Sequence, residues 1–141
     1  MPLMPKRVKY RKAQRRVRQL KGTASRGNRV SFGEFGLQVM TSVWLTSRQI
    51  EAGRIAISHY LKGEGKYYIR VFPHKSVTSK PLEVRMGGGK ADIDYWCAVI
   101  KPGTIVYEIG GVPEEVAKVA LNRASHKMPV KCRMAKRLPE V

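Results

Sequence analysis

The chain has 141 residues, with 28 Lys and Arg against 10 Asp and Glu, for a formal charge of +18. The length fits one domain, and an apolar share of 43% is enough for a packed core, which excludes disorder throughout. The longest apolar run, residues 95–100, is far short of the ~20 residues of a membrane helix, and no apolar segment follows the basic start as in a secretory signal.

Residues 1–30 carry 11 basic side chains and no acidic one: Lys6, Arg7, Lys9, Arg11, Lys12, Arg15, Arg16, Arg18, Lys21, Arg26 and Arg29. The other 111 residues carry 17 basic and 10 acidic groups. The apolar residues among the arm charges (Val8, Tyr10, Val17, Leu20) form no stripe. Such a block buries too little to offset its ordering entropy, so it reads as a disordered or extended arm in isolation. The expected organisation is therefore a basic arm over 1–30 and one globular domain over 31–141. A free domain needs only about 2–8 net charges for solubility, so the excess points to a polyanionic partner. Phosphate neutralisation suits the arm, and its arginines can also stack on bases. An anionic membrane would instead want a broad apolar helix face, which the arm lacks.

Residues 22–27 are small and read as a hinge. Residues 30–45 read as two strands about a turn at 33–36, with Phe32, Leu37, Val39 and Val43 inward. Thr46 with Gln49 three later is a capping box, and Ile50, Gly53, Ile57 and Leu61 then line one face of a helix. Arg48, Glu51, His59 and Lys62 take the other face, and Gly63 and Gly65 end it. Residues 66–72 are an aromatic and β-branched strand stopped by Pro73. From 75 to 94 only Leu82, Val84 and Met86 suggest a short strand. Residues 95–101 and 104–109 read as a hairpin about Pro102 and Gly103. A second helix opens at Pro113, with Glu114 and Glu115 complementing its positive end. Its apolar stripe is Val116, Ala117, Ala120, Leu121, Ala124 and Met128, and Pro129 ends it before a last strand at 130–134. Strands and helices mix without regular alternation, so the expected class is α+β.

Few groups suggest chemistry. Residues 86–90, Met-Gly-Gly-Gly-Lys, look like a phosphate loop, but Ala91 stands where the Walker pattern needs Ser or Thr. The stretch reads better as a flexible cationic loop flanked by Arg85 and Lys90. Cys97 and Cys132 read as thiols in a reducing compartment, and His59, His74 and His126 are scattered without ligand spacing. No catalytic residue, metal or other cofactor is expected. Tyr67, Tyr68, Phe72, Tyr95 and Trp96 could stack on unpaired bases, although at strand periodicity such residues more often serve a core, as Trp44 does.

Several segments together resemble one family. They are MPKRVKYRK at 4–12, VSFGEFGL at 30–37, TSRQIEAGRIA at 46–56, GKYYIRVFP at 65–73 and KPLEVRMG at 80–87. Tyr95-Trp96, VIKPG at 99–103, GGVPEEVA at 110–117 and HKMPVK at 126–131 complete the series. In order and spacing the chain resembles the bacterial-type large-ribosomal-subunit protein sixteen family. The family usually has a further Gly after the loop lysine, where this chain has Ala91, Asp92 and Asp94. The resemblance implies a hammerhead-type α+β fold with a mixed sheet, two helices and a basic extension. It implies a non-enzymatic structural component of the large subunit, in the cytoplasm, bound to ribosomal RNA near the aminoacyl-tRNA site. The implied partners are large-subunit ribosomal RNA, tRNA and neighbouring ribosomal proteins, with no membrane and no small-molecule substrate. It places Lys6, Arg7, Lys9, Arg11, Lys12, Arg15, Arg16, Arg18 and Lys21 on ribosomal RNA. It turns the loop with Lys80, Arg85, Met86 and Lys90 toward tRNA. The rival readings are an RNA-processing or RNA-modifying enzyme, which would need a catalytic constellation, and a cationic protein of the membrane surface.

Overall fold

A computed structural model describes residues 3–139. Its regular elements, in order, are β1 (Phe35–Val39), β2 (Val43–Thr46), α1 (Ser47–Leu61), β3 (Lys66–Ile69), β4 (Lys75–Thr78), β5 (Ile93–Ile100), β6 (Ile105–Gly110), α2 (Glu114–Ser125) and β7 (Cys132–Lys136). One 3₁₀ turn, Val17–Leu20, interrupts the arm. The α+β class holds. The strands form two sheets, in the orders β3-β6-β1-β7 and β2-β5-β4. Every paired neighbour is antiparallel, where the resemblance implied a mixed sheet.

α1 begins where β2 ends. The Gln49 amide donates to Thr46 Oγ1 (3.2 Å), and the Thr46 amide donates to Gln49 Oε1 (3.0 Å). This satisfies two orphan helix donors, in a motif whose loss costs about 1 kcal/mol. Ile50, Gly53, Ile57 and Leu61 are buried, as the periodicity requires. Gly53 is needed for closeness rather than for its dihedral freedom: a Cβ there would overlap the Tyr107 hydroxyl. That hydroxyl donates to the Ile50 carbonyl at 2.5 Å, fastening α1 to the centre of β6. α2 buries Ala117, Ala120, Leu121 and Ala124. It ends at Ser125, four residues ahead of Pro129. Both helices close over one core with Leu37, Val39, Leu45, Ala98, Ile100 and Ile109.

Four local expectations are overturned. Gly36 lies within β1 opposite Glu108, so the first turn falls at 40–42, and β1 and β2 enter different sheets. β5 and β6 do not pair as a hairpin. The Gly103 amide donates to the Val39 carbonyl (2.7 Å) and the Thr104 carbonyl accepts from the Val39 amide (3.0 Å), which carries the chain across to β1. Leu82, Val84 and Met86 form no strand; the real strand is β4, seven residues earlier. Phe32 is not inward but 63% exposed, because it precedes β1 and escapes its two-residue alternation.

The second face of the larger sheet is covered by the chain that enters the domain. The Ile105 amide donates to the Gly27 carbonyl at 2.8 Å, and Val30 is buried. Beside it, Glu108 is wholly buried in β6. Its carboxylate accepts from the Ser31 (3.1 Å), Phe32 (2.6 Å) and Gly33 (2.8 Å) amides and from Arg70 Nη1. Burial alone would raise its pKa; the Gly33, Ser31 and Phe32 amides, with Arg70, outweigh that and hold it below the ordinary carboxylate value. Its stabilisation is therefore full above the unfolded value of about 4.3 and is lost as pH falls through the lower folded value. Glu108→Gln, which leaves Arg70 facing a neutral group, is expected to cost roughly 3 kcal/mol in urea unfolding at pH 7. The gap between wild type and variant should close as the pH drops below about 4.3. A gap independent of acid would show that the charge of Glu108 is not what holds the junction.

Candidate nucleic-acid interface

The arm runs along the smaller sheet and crosses its free edge. Successive residues of a strand point to opposite faces, and Lys75 and Ser76 of β4 use this alternation. The Ser76 hydroxyl donates to the Arg11 carbonyl and accepts from the Ala13 amide at 3.2 Å. From the other face, Lys75 Nζ donates to the Arg15 carbonyl and to Gln19 Oε1 (3.4 Å). The arm is thus held on both sides of β4, covering a strand edge that would otherwise offer unpaired backbone groups. Further along, Ser42 donates to the Leu20 carbonyl (2.6 Å) and the Ala24 amide donates to the Pro102 carbonyl (2.9 Å).

These bonds engage backbone and leave the arm's charges outward. Lys6, Arg7, Lys9, Arg11, Lys12, Arg15, Arg16, Arg18 and Lys21 are all exposed. Among the described residues only Lys12 of these forms an ion pair, a loose one to Asp92 at 4.0 Å. Arg11 lies 5.8 Å from the Trp96 ring and Lys9 5.7 Å from that of Tyr10. Three carboxylates of the body are occupied elsewhere, Glu51 with Arg54, Glu108 with Arg70 and Glu114 with Lys136. The arm's field is therefore little neutralised from within.

Residues 79–92 form the long loop that joins β4 to β5. All of residues 79–90 are exposed, and Leu82 (92%) and Met86 (98%) stand nearly free. Gly87, Gly88 and Gly89 have φ of 110°, 77° and 88°, a run of left-handed backbone that only glycine adopts without strain. Lys80 Nζ donates across the loop to the Gly87 carbonyl at 2.7 Å. Lys90 Nζ donates to the Ala13 carbonyl (2.5 Å), and Lys12 Nζ returns a bond to the Lys90 carbonyl (3.1 Å). Arm and loop, 77 residues apart in the chain, thus share one seam. The loop itself lifts Arg85 and Met86 away from it.

The sequence singles out the arm and the loop but not what binds them. Lys75 is 8% exposed, and burial lowers its pKa; its ammonium sits 4.6 Å over the Trp44 ring. Its signal was Pro73 two residues before a Lys-Ser-Val-Thr run too short to announce a strand. Of the aromatic residues, Trp96 is buried, Tyr67, Tyr68 and Tyr95 are half-buried, and Phe72 is exposed. Both thiols are free, and burial raises the pKa of each, that of Cys132 to about 11. Among the described residues no group of His, Cys, Asp or Glu could hold a metal, and no helix is long and apolar enough to cross a membrane.

A family model described as ribosomal protein L16p/L10e matches residues 5–135. Large ribosomal subunit protein uL16 of Rhodopirellula baltica is 57% identical over 137 residues, 97% of this chain and 98% of that protein. The protein of the same name from Heliobacterium modesticaldum is 54% identical, and that from Lysinibacillus sphaericus 57%, each over 96% of this chain and 92% of its own length.

The arm's attachment is open to a direct check. Replacing Lys75 by Met and Ser76 by Ala removes the bonds at Arg11, Ala13 and Arg15, each worth about 1 kcal/mol net. Trypsin should then cut after Arg11, Lys12 and Arg15 at least about tenfold faster. The melting temperature should change little, because the buried charge is lost along with its bonds. Cleavage at the wild-type rate would show that β4 does not hold the arm.

Proposed function

The chain belongs to the ribosomal protein L16p/L10e family, and from that premise we propose that its exposed arm binds large-subunit ribosomal RNA while its glycine-rich loop faces tRNA. It is a structural, non-enzymatic component of the large ribosomal subunit, which sets aside the reading as an RNA-processing or RNA-modifying enzyme. The observation that carries the RNA reading is the outward, unneutralised charge of the arm, with its backbone fastened to the body. Residues 1–30 serve as the RNA-binding arm and residues 31–141 as the globular domain. Lys6, Arg7, Lys9, Arg11, Lys12, Arg15, Arg16, Arg18 and Lys21 neutralise phosphates.

The loop acts through Lys80, Arg85, Met86 and Lys90 near the aminoacyl-tRNA site. Lys80 and Lys90 brace it by donating to backbone carbonyls, which leaves Arg85 and the extended Met86 side chain to approach tRNA. Neighbouring ribosomal proteins complete the surroundings, in ribosomes of the cytoplasm.

Two measurements test this. Lys6, Arg7 and Lys9 make no hydrogen bond to the body among the described residues, so changing all three to Gln removes charge without freeing the arm. The slope of log affinity against log salt for ribosomal RNA should fall in magnitude by about 2. An unchanged slope would remove the arm from RNA. Arg85→Ala should leave thermal unfolding of the isolated protein unchanged and slow tRNA accommodation on reconstituted ribosomes. Accommodation at the normal rate would remove the loop's assignment.

A further inference from the structure

We propose that Phe32, with Arg70 and the groove beside it, is a docking site for one unpaired nucleotide of RNA, separate from the arm and the loop; this rests on the RNA-binding reading above. The first observation is the exposure of Phe32. Phe32 is 63% exposed, although the neighbouring Gly33 and Gly36 are buried. Its ring is not floppy. The Phe32 amide is held by Glu108, the Arg70 guanidinium lies 4.7 Å over one ring face, and the Tyr68 ring is 5.7 Å away, inclined at 32°. Even with those two neighbours the residue stays 63% exposed. A rigid aromatic face open to solvent and backed by a guanidinium is what an unstacked base needs.

The second observation is the charge of the surroundings. Arg70 also lines a groove of about 470 Å³ shared with Arg26, Phe72, His74 and Lys101. No Asp or Glu lines it. Glu34, two residues from Phe32, is exposed, whereas Glu108 is sealed from solvent by three amides and Arg70. Phe72 and His74 add a second ring pair there, 4.9 Å between centroids. An anionic, planar, unpaired nucleotide fits both parts: its base lies on Phe32, and the adjoining phosphates enter the cationic groove. An acidic peptide would satisfy the groove but would leave the aromatic face without a planar partner.

The test uses the full chain and two single-stranded RNA twelve-mers of equal length, one of uridines and one with the same backbone and no bases. Phe32→Leu keeps the apolar bulk and removes the π face, and Phe32→Tyr keeps the face. Neither changes a charge, and thermal unfolding confirms that both fold. Phe32→Leu should weaken binding of the base-bearing strand about tenfold, the order of one base stacked on one ring. It should leave the abasic strand and both salt slopes unchanged, and Phe32→Tyr should bind both strands as wild type does. Equal binding of the uridine strand by wild type and Phe32→Leu would overturn the stacking site and leave the arm's reading intact. A wild-type chain that binds neither strand would overturn both.

Discussion

The junction between the arm and the body depends on one buried carboxylate. A chain of +18 must keep a strongly basic segment close to a domain that repels it. Glu108 supplies the opposite charge at the point where arm becomes body. Burying a carboxylate alone would cost several kcal/mol. Here three consecutive amides converge on it and Arg70 completes the set, so the charged form is preferred over the neutral one. Residues 31–33 cannot shift without unsatisfying these donors. Their fixed path then turns the Phe32 ring outward, holds Arg70 across it, and sets the line along which the rest of the arm leaves.

From that junction the arm is guided by backbone contacts rather than by salt bridges. Lys75 and Ser76 hold carbonyls and an amide, Lys90 donates to the Ala13 carbonyl, and the arm's own Lys12 donates to the Lys90 carbonyl. The physical consequence is a division of labour within one segment. Its peptide groups are bound by the Lys75 and Ser76 side chains of the edge strand, while most of its own side chains remain available to phosphates. Because the same seam includes Lys90, the arm and the base of the glycine-rich loop have a common foundation, although they are read as facing different RNAs.

The parts legible in the sequence were those governed by local rules. α1 was readable because Thr46 and Gln49 form a cap and the apolar spacing matches a helix. α2 was readable because Pro113, two glutamates and an alanine-rich stripe coincide. The acid-free arm and the glycine loop stood out by composition alone. Pairing was not legible. Residues 95–101 and 104–109 have the look of a hairpin, yet each strand finds different neighbours, because a turn at Gly103 can hand the chain to a second sheet as easily as fold it back. Likewise Leu82, Val84 and Met86 alternate as a strand would, but all three are exposed and belong to no strand among the described residues.

The sequence by itself therefore determined the amount and sign of charge, the positions of both helices, the α+β class and the family. These follow from spacing, capping and composition, which act over a few residues. Only the tertiary structure decided that Glu108 is the pin of the arm, that Lys75 is a buried clasp rather than one more surface cation, and that Phe32 faces water. Each of those outcomes rests on groups between 38 and 77 residues apart meeting in space. Whether a charged or aromatic side chain is enclosed or open depends on that meeting, and no local pattern carries it.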